Sequence, residues 1–203
     1  MAVLPMFPLG TVLLPGVVLP LHVFEPRYQR LVRDCLDATD HEFGVVLIDR
    51  GSEVGGGDTR SAVGVVATML QVAPMDGDRF GVVAVGTRRF RVTGWLADDP
   101  YPRAEIEDWP DGDSVVSTER FAATAARARS CAGLAVEMGD RSSVPEGELT
   151  GDASSDSFLL AAISPFGPSD QYAALCAPDA ASRLDVIDRL LDDVEAGLRF
   201  RLG

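Results

Sequence analysis

Lysine is absent: all eighteen basic residues are arginine. A phosphate-binding P-loop needs its lysine on the phosphates, and Ser/Lys hydrolysis and Schiff-base chemistry need one as base or nucleophile. None of these mechanisms can operate here. Histidine is scarce, with only His22 and His41, and no serine sits in a G-x-S-x-G elbow. A Ser/His hydrolase therefore has little basis. The three cysteines, Cys35, Cys131 and Cys176, are odd in number and widely spaced, each in an apolar segment that reads as helical. That pattern points to reduced, buried thiols and a cytoplasmic location. Positive charge is also short, at 18 basic against 31 acidic residues and a net charge of -13. Such a chain repels polyanions, which argues against nucleic acid and anionic membrane surfaces as partners.

What is present begins with an almost unbroken apolar run from Pro5 to Phe24, ahead of the first charged residue, Glu25. It is long enough to resemble a membrane span, but Pro5, Pro8, Pro15 and Pro20 each remove a backbone donor, at about 3 kcal/mol apiece in a helix interior. No Lys or Arg precedes Arg27, so a secretory signal is not expected either. The run is expected to stay in the mature chain and fold. Leu14-Pro15-Gly16-Val17 has the composition of a type II turn, with Pro15 and Gly16 at its centre, and would turn the run back on itself.

Pro26 suits a first helical position, and Tyr28, Leu31, Val32, Cys35 and Leu36 recur at the spacing of a core-facing helical stripe. Arg27, Arg30, Arg33 and Asp34 fall on its wet side. Strand-like segments follow at 43–48, 63–73, 80–86, 89–95 and 103–107, with Phe90 and Val92 opposed to Arg89 and Arg91. Asp76-Gly77 marks a hairpin turn. Short antiparallel strands with local turns predict a small, partly closed barrel. From about Ser117 the composition turns to Ala, Arg and Leu: Phe121, Ala125, Ala128, Ala132 and Ala135 predict a helix that ends at Gly139. A flexible loop is expected over 140–155, then short helices over 158–163 and 172–176. A terminal helix capped by Asp179 carries the stripe Leu184, Ile187, Leu191, Val194 and Leu198, with Asp185–Arg189 and Glu195–Arg199 as i, i+4 pairs. That stripe can be covered within one chain or by a second copy. The expected fold class is α+β, with a β module over 1–115 and a helical subdomain over 116–203.

Few residues invite chemistry. His22, Glu25 and His41 offer too few convergent ligands for zinc, so no metal and no cofactor is expected. Gly55-Gly56-Gly57 lacks a following lysine and is flanked by Glu53 and Asp58, which suits a connection better than a phosphate cradle. Asp76-Gly77-Asp78 and Asp111-Gly112-Asp113 read as turns, since neither extends into a calcium loop. Cys35 with His41 is a poor nucleophile pair, because Cys35 lies on the apolar helix face.

The N-terminal run is nevertheless specific. Pro5-Met6-Phe7-Pro8-Leu9-Gly10, Leu14-Pro15-Gly16 and Leu19-Pro20-Leu21-His22-Val23-Phe24-Glu25-Pro26-Arg27-Tyr28 resemble the opening of the N-terminal domain of the ATP-dependent Lon protease family. The resemblance continues through 43–48, 63–67, 86–92 and 101–107. It implies a PUA-like β pseudo-barrel of about six short strands and one helix, followed by a C-terminal helical subdomain. It also implies a role in recognising and holding protein substrates. The ATPase and peptidase of that family lie in later domains, and this chain lacks their lysines, so it resembles the stand-alone bacterial members and is expected to be non-catalytic.

The expected partners are accordingly polypeptide segments or a protease. Val12, Leu13, Leu14 and Val17 are the candidate binding residues: left exposed, the turn would be an apolar contact patch, whereas burial against Tyr28 and Leu31 would make its residues core. Pro15, Gly16, His22, Phe24, Glu25, Pro26, Arg27 and Tyr28 are motif residues with a mainly structural role. An alternative is a small-molecule-binding protein or an unrecognised enzyme whose site lies between barrel and helices, with Tyr101, Arg103 and Trp109 as lining. RNA binding would have to use Arg88, Arg89 and Arg91, against the charge balance.

Overall fold

A computed structural model describes residues 2–50, 59–139 and 149–202. The chain divides into two compact units, Met1–Pro110 and Asp111–Gly203.

The first unit is built on strands β1 (Ala2–Leu9), β2 (Val18–Val23), β3 (Glu42–Arg50), β4 (Thr59–Met75), β5 (Arg79–Trp95) and β6 (Arg103–Asp108), with helix α1 (Pro26–Asp37) between β2 and β3. They form one sheet in the order β2-β5-β4-β3-β1-β6, with an added β5–β6 pairing. This is not a true barrel. Among the described residues β2 pairs only with β5 and stands outside the loop of strands that the β5–β6 contact joins.

Two features depart from a set of short antiparallel strands. The β1–β3 pair is parallel, with α1 in the connection, and β1 changes partner along its length: Ala2–Pro5 run antiparallel to β6, and Met6–Leu9 run parallel to β3. The segments expected at 80–86 and 89–95 are one 17-residue strand. Gly86 does not end it. A side chain there would overlap neighbouring backbone, so glycine marks a close approach and not a turn. The chain turns instead at Gly77 and Asp78, both with positive φ.

Met6, Val46, Val66, Phe90, Ala104 and Ile106 make the core between the strands. Phe90 fills the space over Gly44 and Gly64, where a Cβ would lie 3.0 and 2.5 Å from its ring. Helix α1 buries Tyr28, Leu31, Val32 and Cys35, as its stripe predicts, but Leu36 stays 42% exposed. Each fully buried aliphatic side chain contributes about 2 kcal/mol over an exposed one.

The second unit holds α2 (Thr118–Glu137), α3 (Ala153–Ile163), α4 (Pro168–Leu175) and α5 (Ala180–Leu202). Ser117 caps α2 by accepting from the Arg120 N–H, Asp152 caps α3, and Asp179 accepts from the Ser182 N–H at 2.8 Å at the head of α5. Hydrogen bonds from Ser155 hold the Asp152 carboxyl below its ordinary value. Ala125, Ala128, Ala132 and Ala135 are buried along α2, and Leu184, Ile187, Leu191 and Leu198 along α5, while Val194 is half-buried. Of the expected helix pairs, Glu195–Arg199 forms at 3.0 Å. Asp185 instead bonds Arg120 on α2. The loop expected over 140–155 lies outside the described residues at 140–148, and α3 begins at Ala153, ahead of the expected 158.

Candidate protein-binding site

The 14–17 turn forms as its sequence directs: Gly16 has φ 79°, and the Val17 N–H donates to the Leu14 carbonyl at 3.1 Å. It then closes onto β5. The Gly16 N–H donates to the Gly86 carbonyl at 2.8 Å, and the Gly86 N–H to the Val17 carbonyl at 3.0 Å. Leu13 and Leu14 are thereby buried, at 4% and 1% exposure, and Val12 and Val17 are half-buried. Of the two readings of the turn, exposed tip or core, Leu13 and Leu14 follow the second. Gly86 lets the turn approach so closely that its leucines become core.

The exposed apolar surface lies further along. The sequence Val18–Val23 alternates outward and inward along β2, and β2 delivers the chain to α1 through Phe24 and Glu25. A cavity of about 180 Å³ opens there, lined by Phe7, Leu9, Leu21, Val23, Phe24 and Tyr28, with Pro20, His22 and Glu25 completing it. Phe7 and Tyr28 stack with centroids 4.1 Å apart and planes 14° from parallel. Arg27 covers the Tyr28 ring at 4.5 Å and donates from Nε to Glu25 Oε2 at 3.1 Å, so the one carboxylate at the cavity already has a cation. His22 is exposed and meets Phe24 edge-on, centroids 6.5 Å apart. Gln29 Nε2 donates to the Phe24 carbonyl at 3.0 Å and fixes the backbone there, yet the Phe24 side chain remains 54% exposed.

This arrangement offers an apolar concavity beside a strand edge, with a half-exposed aromatic at its rim. It has room for an apolar side chain of a ligand. Phe24 and Tyr28 belong to the sequence motif, whereas Phe7, Leu9, Leu21 and Val23 escape sequence reasoning as lining residues. The alternation of β2 is the signal that could have found Leu21 and Val23.

Other candidate residues are engaged elsewhere. Tyr101 is buried and donates to Asp34 Oδ2 at 2.8 Å; burial first, then that bond and the Asp34 charge, push its hydroxyl up to about 12. The Trp109 ring lies against both Arg89 and Arg91, whose guanidinium carbons are 4.3 and 3.8 Å from its centre. Arg89, expected on the wet face, is buried. Arg103 is exposed. Arg88 donates to both Glu42 oxygens at 2.6 and 2.8 Å and to Asp108 at 3.1 Å, so the arginine cluster is occupied by its own unit. Burial, then the Asp34 charge, raises the Cys35 thiol to about 12, and His41 meets the Cys35 carbonyl, not its sulfur. Neither suits a nucleophile. Among the described residues no group of three or more His, Cys, Asp or Glu could hold a metal ion, and no helix is long and apolar enough to cross a membrane.

Known proteins share this architecture. A Lon N-terminal domain protein from Xanthomonas campestris superposes with a TM-score of 0.67 at 29% identity, covering 91% of this chain and 96% of that one. The N-terminal domain of Lon protease from the Mycobacterium avium complex, at 18% identity and a TM-score of 0.63, shares the fold over 95% of this chain and 99% of its own. In sequence the chain is 34% identical over 120 residues to the Lon protease of Anaeromyxobacter dehalogenans and 36% identical over 110 residues to Lon protease 2 of Sorangium cellulosum. These matches take in 58% and 53% of this chain, and the chain spans 14% of the length of each of those proteases. The family model described as the ATP-dependent protease La (LON) substrate-binding domain matches residues 3–193. The chain belongs to that family of Lon substrate-binding domains.

Proposed function

We propose that this chain is a non-catalytic polypeptide-binding module whose β unit takes apolar side chains of extended or unfolded segments into the cavity between β2 and the start of α1. The observation that carries the reading is the half-exposed Phe24 at the rim of a cavity lined mainly by apolar side chains, whose one carboxylate, Glu25, is paired with Arg27. Membership of the family described as substrate-binding supports it. The β5–β6 pairing supports reading the sheet as a pseudo-barrel of the PUA-like kind that presents β2 for contact. The module works in the cytoplasm beside a protease that receives what it holds, a setting that suits three free cysteines. It has no lysine from which to supply an ATPase or a Ser/Lys peptidase of its own.

The test is a peptide-array scan of unfolded sequences with wild type and Phe24→Ser. Because Phe24 is already half in solvent, its replacement leaves the unfolding midpoint unchanged and removes binding to the apolar spots. Equal binding by both proteins would place the contact elsewhere.

A further inference from the structure

Among the described residues, strand β2 has a partner on one side only. The Gly86 N–H donates to the Val17 carbonyl at 3.0 Å, and from there the register runs without a bulge from Val18 opposite Val85 to Val23 opposite Phe80. Backbone groups of successive residues in an antiparallel strand point to alternate sides. Leu19, Leu21 and Val23 therefore turn theirs to β5, and Val18, Pro20 and His22 turn theirs away from it. The outward groups are the N–H of Val18 and His22 and the carbonyls of Val18, Pro20 and His22, and none has a hydrogen-bond partner among the described residues. Proline suits this phase, since the N–H that Pro20 lacks is not one that β5 needs. An open edge is ordinarily guarded by charged side chains, and Val18–Val23 carries none.

We propose that an extended segment of an unfolded polypeptide adds to this edge as a further strand, its backbone bonded to Val18, Pro20 and His22 and its alternate side chains turned into the cavity beside Leu21 and Phe24. The inference rests on the polypeptide-binding reading above and supplies what holds the backbone of the segment. Facing residues of paired strands share one face of the sheet, so a side chain opposite Leu21 or Val23 lies on the face where those residues line the cavity. Side chains opposite Val18, Pro20 and His22 stay in water, as those three do. A second copy of β2 fits the edge poorly. Paired in full register, Val18 against His22, it brings Pro20 against Pro20, where neither donates and each ring stands in the place of a hydrogen. Every residue except proline offers the same backbone groups. The edge thus reads extended conformation, and the cavity adds a preference for apolar side chains at alternate positions.

The probe is reduced, S-carbamidomethylated lysozyme, which stays unfolded, added to this chain at physiological salt. With the probe at about 100 times its Kd, amide exchange at Val18 and His22 is expected to slow by on the order of a hundredfold. Val18→Ala, which keeps the outward N–H, is expected to bind the probe about tenfold more tightly than Val18→Pro, which removes it. Should Val18→Pro fail to fold, exchange at Val18 and His22 of the wild type decides alone. Probe binding that Phe24→Ser abolishes, with those two amides exchanging as fast as in its absence, would overturn the added strand and leave the cavity reading standing. Absence of probe binding would overturn both. Slow exchange at the two amides without probe, deepening as protein concentration rises, would assign the edge to a second copy and overturn the proposal.

Discussion

Leu14 closes directly on Gly86: a side-chain carbon placed on Gly86 would overlap the carbonyl oxygen of Leu14 and come within 3.2 Å of Leu13 Cγ. The clash is with backbone, which cannot swing aside. Gly86→Ala is expected to destabilise the β unit by about 1–3 kcal/mol through forced separation of the turn from β5. A lower urea midpoint at unchanged slope would report it, whereas an unshifted midpoint would show that the turn yields freely.

Leu14→Asp separates the two readings of the turn. A carboxylate forced into the site of a 1% exposed leucine has no water and no partner, so the loss should reach at least about 4 kcal/mol, close to the whole stability of a marginal domain. Soluble, cooperatively folding protein with this change would mean that the turn opens in solution. Phe24→Ser is the matched control, since it leaves the core intact.

Tyr101 gives the β unit an alkaline limit. Its hydroxyl is raised from 10.0 to about 12, so the fold favours the neutral form. The stability this group contributes is complete below pH 10 and is lost as pH rises through about 12. Tyr101→Phe should cost about 1.5–3 kcal/mol at neutral pH, because Asp34 loses a hydrogen-bond donor, and should flatten the decline across that alkaline window. Denaturant midpoints measured at neutral and alkaline pH for both proteins check the two parts separately.

In the helical unit, Arg127 of α2 reaches three carboxylates of α5: Asp188 at 3.2 Å, Asp192 at 2.6 Å and Glu195 at 2.9 Å. The cluster is partly solvated, so screening limits its worth. Arg127→Ala should lower stability by only about 1 kcal/mol, and the gap from wild type should narrow at high salt. A salt-independent gap would assign the loss to packing of the arginine stem.

Much of this architecture is legible in the residues themselves, because it rests on local periodicity. The α1 stripe from Tyr28 to Cys35, the Pro15-Gly16 turn and the α5 stripe each follow from spacing. The misses share one cause: distant parts of the chain meet. Gly86 looks like a strand end until the 14–17 turn is seen against it, and Arg89 looks solvent-facing until Trp109 covers it. Whether Leu13 and Leu14 are tip or core is likewise left open by their own spacing and decided by the distant Gly86. The cavity joins Phe7 and Leu9 of β1 to Leu21 and Val23 of β2 and Tyr28 of α1, and no single periodicity links those elements.

The change of partner along β1 also dictates an order of events during synthesis. Ala2 pairs with Ile106, and Leu4 with Ala104, across almost the whole β unit. The first strand made is therefore the last to be completed, and the sheet cannot close until β6 has left the ribosome. A nascent chain halted before residue 103 carries an apolar strand end with no ladder to join, which leaves that edge open to pairing with other chains during that stretch of translation.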